Sequence, residues 1–226
     1  MRKTLHLSIL LLLGVQTSKA QVFVGAKAGY SRFIDPGMNG ATLNAFAEVP
    51  LGNSESFSLR SGFFARLPMK YTDYNVSPLN LMSYTPSDYV YNPSQPGLTV
   101  HSKFNDIGIF SEFSYFFQET PGESAFYITA RATISYSYIK RWSDDPYTEE
   151  LLASNPKRKR VNQLSYSFGA GFGYQHLFGE KMLLFSDMIV GLPFISADDS
   201  LPSSSLSYFP AVYFSLNVGF KYALFS

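Results

Sequence analysis

Val212-Tyr213-Phe214-Ser215-Leu216-Asn217-Val218-Gly219-Phe220-Lys221-Tyr222-Ala223-Leu224 is the stretch that decides the fold. Val212, Phe214, Leu216, Val218, Phe220, Tyr222 and Leu224 are large and apolar. Tyr213, Ser215, Asn217, Gly219, Lys221 and Ala223 stand between them. Side chains of an extended strand alternate between its faces, so a two-residue rhythm predicts one greasy face and one polar face. The same rhythm comes back along the chain. A soluble barrel turns its apolar face inward. Here that face is too large and too aromatic to fill a narrow lumen, and the other face carries charges that need partners. The reading that satisfies both faces is an inside-out barrel with lipid around it.

The start of the chain agrees with export. Met1, Arg2 and Lys3 precede an apolar run from Leu5 to Val15, and Ser18-Lys19-Ala20 supplies small residues at −3 and −1. This predicts a signal peptide over 1–20 and a barrel domain over 21–226. The run is too short for a spanning helix, which needs about 20 apolar residues. The chain contains no Cys, which excludes a disulfide framework and a lipidated N-terminal Cys. Without Arg2, Lys3 and Lys19, a chain of 18 Lys+Arg and 17 Asp+Glu becomes slightly acidic, which argues against nucleic acid as a partner. Aromatic residues make up 17% of the sequence, a share that suits strands with interfacial girdles.

The fold class expected is all-β: an eight-stranded antiparallel up-and-down transmembrane barrel. Its strands are read at 22–33, 41–51, 57–67, 103–117, 125–142, 163–178, 182–193 and 209–225. The connections alternate in length. Tight turns at 52–56, 118–124 and 179–181 contain Gly52-Asn53-Ser54, Thr120-Pro121-Gly122 and Gly179-Glu180-Lys181. Longer connections at 34–40, 68–102, 143–162 and 194–208 fall at the opposite end. Outer-membrane barrels keep short turns in the periplasm and long loops outside, so a bacterial outer membrane is the expected location.

The two registers differ in content. The outward one holds Val24, Ala26, Ala28 and Tyr30, then Leu43, Ala45 and Ala47, then Phe126, Ile128, Ile134 and Tyr136, then Leu164, Tyr166, Phe168 and Phe172, with no charge. The inward one holds Lys27, Glu48, Arg60, Arg66, Asp106, Glu112, Arg131, Asp187 and Lys221. Gly25, Gly29, Gly62, Gly108, Gly169, Gly171, Gly173, Gly191 and Gly219 share that register and leave room for long side chains from the facing wall. An eight-stranded lumen is just wide enough for side chains to fill it. Unpaired buried charges are costly, so these residues are expected to form a salt-bridge network that plugs the barrel.

Other motifs carry less chemistry. The glycines of Gly169-Ala170-Gly171-Phe172-Gly173 alternate within one strand, so they are not a phosphate loop, which needs a turn and a helix. His101 beside Ser102, with Asp106 nearby, invites comparison with outer-membrane lipid hydrolases. Adjacent strand residues face opposite ways, so the pair is not expected to meet. His176 falls near the periplasmic rim, an interfacial position. Asp144-Asp145 and Asp198-Asp199 do not match a calcium loop; no metal site and no cofactor is expected. Asp199-Ser200-Leu201 has the form of a short bacterial O-glycosylation triplet, a pattern that arises often by chance. Lys157-Arg158-Lys159-Arg160 lies at the height of outer-leaflet phosphates, where contact with lipopolysaccharide competes with a solvated loop end. The stretch 68–102, with Tyr71, Tyr74, Tyr84, Tyr89 and Tyr91, suits either a protein partner or a cap over the mouth.

Three segments resemble a family. The signal peptide ending Lys19-Ala20-Gln21, the strand Val24-Gly25-Ala26-Lys27-Ala28-Gly29-Tyr30 and the tail Val218-Gly219-Phe220-Lys221-Tyr222 are similar to PorT-like outer-membrane β-barrel proteins, small barrels of the OmpA/OmpX kind. That resemblance implies an outer-membrane location and assembly by the barrel insertion machinery, with one member type associated with secretion and gliding. Many such barrels end on an aromatic residue; here Phe225 precedes Ser226. The function expected is non-enzymatic: a structural, adhesive or complex-forming barrel. A lipid-modifying enzyme using His101 and a small-solute channel are the alternatives.

Overall fold

The computed structural model describes residues 21–34, 37–51, 56–76, 98–117, 122–195 and 212–224. The expected signal peptide, the turn 52–55 and most of the loop 194–208 lie outside the described residues, as do Asp198-Asp199, Asp199-Ser200-Leu201 and Phe225-Ser226. Eight strands run in chain order: β1 (Phe23–Phe33), β2 (Asn39–Pro50), β3 (Phe57–Val76), β4 (Leu98–Phe116), β5 (Ala125–Trp142), β6 (Arg160–Phe178), β7 (Met182–Ile195) and β8 (Tyr213–Ala223). Each pairs antiparallel with the next, and β8 returns to β1 to close the barrel. Over the height that all eight strands share, closure leaves no unpaired sheet edge, a requirement for backbone placed in lipid. Among the described residues no helix is long and apolar enough to cross a membrane.

The barrel is uneven in height. β1, β2, β7 and β8 have 11, 12, 14 and 11 residues, whereas β3 to β6 have 20, 19, 18 and 19. The longer four rise past the rim as a wall on the side of the long connections. This corrects the expected 68–102 loop: residues up to Val76 and from Leu98 are strand, and 77–97 lie outside the described residues. The Leu67-Pro68 pair reads as a strand end, but the register shifts between Arg66 and Met69, and a bulge is where a strand admits proline. The 143–162 loop likewise contains two short helices, α1 (Pro146–Ser154) and α2 (Pro156–Lys159). At the opposite end β6 and β7 join through Gly179, whose φ of 76° is one that side chains disfavour.

The faces sort as the alternation requires. Outside, Phe63 is 71% exposed and Phe126 62%, while inside, Lys27 is 2% and Glu48 0%. Below the rim the outward positions carry no charge. Ser61 and Ser111, which do face outward, satisfy each other at 3.0 Å.

The lumen departs from the expected small and polar filling: among the described residues, ten buried aromatic rings also point inward. Phe46, Phe64, Phe110 and Phe185 form a middle layer. Phe33, Phe104 and Tyr213 join Met38, Met69 and Ile139 in an outer layer. Phe23 with Leu183, and Phe116 with Tyr127, close the inner end. The inward glycines make room mainly for these rings. Gly25 and Gly62 flank Phe46, Gly108 faces Phe64, Gly173 faces Tyr127, Gly219 faces Phe185 and Gly191 faces Tyr213 as direct cross-strand partners. A Cβ on Gly108 would meet Phe64 Cε1 at 2.8 Å and clash with the carbonyl oxygen of Ile134. Gly108→Val is therefore expected to lower unfolding stability in urea by about 1–3 kcal/mol, while Ala132→Val on the lipid face leaves it near wild type.

Candidate functional site: the charged lumen and the outer mouth

Four of the inward charges sit side by side. Glu48, Arg60, Glu112 and Arg131 are direct partners across β2, β3, β4 and β5, so one hydrogen-bonded row alternates in sign. Direct cross-strand neighbours on one face lie close enough to interact, and opposite charges there are favourable. Arg60 Nε donates to Glu48 Oε2 at 3.0 Å, and its Nη1 to Glu112 Oε2 at 3.0 Å. Arg131 Nη1 stands 3.3 Å from Glu112 Oε1.

The remaining members reach this row across the lumen. Lys27 Nζ lies 2.7 Å from Glu112 Oε1 and 3.0 Å from Asp187 Oδ2. Lys221 Nζ donates to Glu48 Oε1 at 2.7 Å. Asn217 donates to Asp187 Oδ1 at 2.6 Å, and Arg131 to Asn44 Oδ1 at 3.1 Å. Seven of the nine expected residues thus form one connected network. Arg66 and Asp106 do not join it; they pair with each other at 2.7 Å, nearer the mouth. The reason is register: Arg66 and Asp106 are direct partners six residues outward of Arg60 and Glu112.

The inward rings are the part that reasoning from charge missed. Arg60 lies 4.6 Å from the centroids of both Phe46 and Phe185, Arg131 4.4 Å from Phe110, and Lys221 4.8 Å from Phe23. A ring face attracts a cation, so each of these charges has both a carboxylate and an aromatic partner in a space that excludes water. The parity that placed the glycines inward also places these rings inward, and was the available signal.

Above this lies a hydroxyl zone. Thr133 bonds Ser167, Ser137 bonds Ser165 at 3.2 Å and Ser31 donates to Ser215 at 3.2 Å. The cavity beside Arg66, Asp106 and Ser135 has a volume of about 20 Å³, room for about one water.

Helix α1 then covers part of the mouth. Asp145 caps it by accepting from the Thr148 backbone N–H at 2.8 Å and the Thr148 hydroxyl at 2.7 Å, which holds the Asp145 carboxyl below its usual pKa. Pro146 occupies the first turn, where no N–H is required. Leu152 packs on Val100 of the inward wall face, with Leu98 and Leu151 beside them. Glu149 accepts from Lys159, which lowers the Glu149 pKa and ties α2 to α1.

The other expected residues fall as follows. His101 Nδ1 lies 2.9 Å from the Thr72 hydroxyl, its Nε2 lies 3.2 Å from Asp144 Oδ2, and its ring tilts over Trp142 at 5.4 Å. Ser102 is buried on the opposite face, and Asp106 is engaged by Arg66 in the lumen. The strand therefore separates His101 from both. His176 is exposed at the inner end, where Nδ1 meets the Ser124 hydroxyl at 3.1 Å. Of the basic run, Lys159 pairs with Glu149 and Arg160 opens β6; the side chains of Lys157 and Arg158 lie outside the described residues. Among the described residues there is no group of three potential metal ligands.

No protein-family model matches the chain, and no curated protein sequence matches it. Solved structures do. A major outer membrane protein from Thermus thermophilus is similar over 91% of this chain and 99% of its own, at 15% identity and a TM-score of 0.55. Neisserial surface protein A matches over 92% and 98% at 14% identity and a TM-score of 0.49. The N-terminal barrel domain of Pseudomonas aeruginosa OprF matches over 90% and 98% at 11% identity and 0.39. The Thermus likeness carries the fold, that of an outer-membrane barrel. The uncharged outward belt gives the same answer independently, and the chain is an outer-membrane β-barrel protein.

Glu112 contacts three cations and is the hub of the network. Glu112→Gln keeps the shape but leaves Lys27, Arg60 and Arg131 short of a counter-charge. A loss of about 3–5 kcal/mol is expected in urea unfolding of the lipid-reconstituted barrel, against no change for the exposed turn residue in Glu180→Gln.

Proposed function

We propose that this chain is a non-enzymatic resident of the outer membrane whose working surface is its extracellular wall. It serves as a structural, adhesive or complex-forming component, in the manner its PorT-like sequence pattern suggests, and the barrel is its anchor rather than a conduit. The observation that carries this reading is the filled lumen. Aromatic layers close both ends of a network in which Lys27, Arg60, Arg131 and Lys221 are held by Glu48, Glu112 and Asp187. An ion crossing it would have to break several buried pairs at once. Insertion machinery delivers the chain, lipopolysaccharide surrounds it, and the wall with the segment 68–102 meets a protein partner.

The absence of catalysis belongs to the same proposal. His101 has both ring nitrogens engaged, by Thr72 and Asp144, and its sequence neighbour Ser102 turns away into the lumen. Two measurements test the proposal. In planar bilayers the purified chain is expected to give no steady ion-selective conductance; a reproducible open level contradicts the plugged barrel. His101→Ala is expected to leave phospholipid and lipid A turnover by expressing cells unchanged; loss of a turnover that the wild type shows replaces the non-enzymatic reading.

A further inference from the structure

The sheet register assembles a second basic feature that the linear sequence scatters. Lys70 pairs with Lys103, Lys103 with Lys140, and Lys140 with Arg160, as direct partners across β3, β4, β5 and β6. All four are exposed, on the outward face of the wall. Adjacent strands lie about 4.8 Å apart, so the row presents four cations over about 14 Å. Among the described residues none of the four takes part in an ion pair or a side-chain hydrogen bond. Glu149 is the acidic group whose field Lys140 feels, and Glu149 is already bonded to Lys159. Like charges set directly opposite one another in a sheet repel and lower stability, so an unrelieved row of four is a liability for the free barrel.

The height of the row identifies what relieves it. Immediately below come Asn105, Tyr138 and Asn162, then Ile107, Tyr136 and Leu164, where the apolar belt begins. From Lys103 down to the inner-girdle residue Tyr115, the strand descends about 40 Å along its length, or about 30 Å vertically at a tilt near 40°. That is about one hydrocarbon thickness. The row therefore stands at the outer headgroup boundary, on the lipid-facing side, with Trp142 and His101 one step above it.

We propose that Lys70, Lys103, Lys140 and Arg160 form one binding surface for the phosphate groups of an outer-leaflet lipopolysaccharide molecule, whose acyl chains lie on the belt beneath. The site is this cross-strand row rather than the consecutive run Lys157–Arg160, with Arg160 common to both. The inference rests on the outer-membrane reading above and adds the ligand and its contacts.

The test uses the full chain, purified and folded in neutral detergent, titrated with intact lipopolysaccharide and with enzymatically dephosphorylated lipopolysaccharide. K70Q/K103Q/K140Q/R160Q is expected to bind intact lipopolysaccharide at least about 10-fold more weakly and with a shallower salt dependence. Dephosphorylated lipopolysaccharide is expected to bind the wild type as weakly as intact ligand binds the variant. Without lipid the variant is expected to melt at or above the wild-type temperature, since repulsion is removed; lipopolysaccharide should then raise the wild-type midpoint and not the variant's. If the fourfold variant does not fold, K70Q/K103Q and K140Q/R160Q are titrated separately, each losing part of the affinity. Lys159→Gln should bind as the wild type does. Wild-type affinity in the folded fourfold variant, or equal binding of dephosphorylated ligand, overturns the proposal. Heat-modifiable gel migration reports the barrel fold separately, so a binding failure leaves the outer-membrane reading standing.

Discussion

Lipid around the barrel is the constraint from which the rest of the structure follows. A charge in the outward register costs about 2–4 kcal/mol at mid-depth, so every ionic side chain within the span is driven to the lumen. There it meets a space too narrow for bulk water. Isolated charges in such a space are expensive, and only close pairing makes them tolerable. Glu112, touching Lys27, Arg60 and Arg131 from three different strands, is where that requirement is met most fully. The network joins six strands besides that of Arg131 and couples walls that the backbone ladder connects only through their neighbours.

Filling the rest of the lumen needs bulk without further charge. The solution is a pairing of inward glycine with inward ring, repeated on successive strands: Gly25 with Phe46, Phe46 with Gly62, Gly62 with Phe110, Phe64 with Gly108. A glycine lets the neighbouring ring lie against the backbone, and the ring then presents its face to Arg60 or Arg131. Charges and rings thus form a single layer, and the barrel is solid through its middle. Above the membrane the constraint is released. The wall of β3 to β6 continues into water, where it carries charge on its outer face and receives α1 on its inner one.

Much of this was legible in the sequence because a strand has a period of two. Strand number, the outward belt and the inward placement of Lys27, Glu48, Arg60, Glu112, Arg131, Asp187 and Lys221 all follow from parity. What parity does not supply is register. Arg66 and Asp106 look like members of the same set, and only the ladder shows them six residues outward, as a separate pair. Lys157-Arg158-Lys159-Arg160 draws attention because its charges are consecutive, yet Lys159 bonds Glu149. The row Lys70, Lys103, Lys140 and Arg160 is spread over four strands and is invisible until they are aligned. Pro68 hid the continuation of β3, since a proline ends most strands and a bulge is the exception. The inward rings are hidden for a different reason: aromatic content suits the lipid face equally well, and composition does not say which face holds it.

The claim beneath all of this is that bulky side chains of the strands touch hydrocarbon while the ionic ones meet around the barrel axis. The native chain has no Cys, so single cysteines can be placed without background. Nitroxide labels at Phe214, Ser215, Leu216, Asn217 and Val218, in the barrel reconstituted into vesicles, would be read for collisions with oxygen, which concentrates in lipid, and with a water-soluble nickel chelate. The account predicts strong oxygen collisions at Phe214, Leu216 and Val218, weak collisions with either reagent at Ser215 and Asn217, and thus a period of two. Uniform collisions with the nickel chelate along the segment, or oxygen accessibility at the Asn217 set instead, would contradict it.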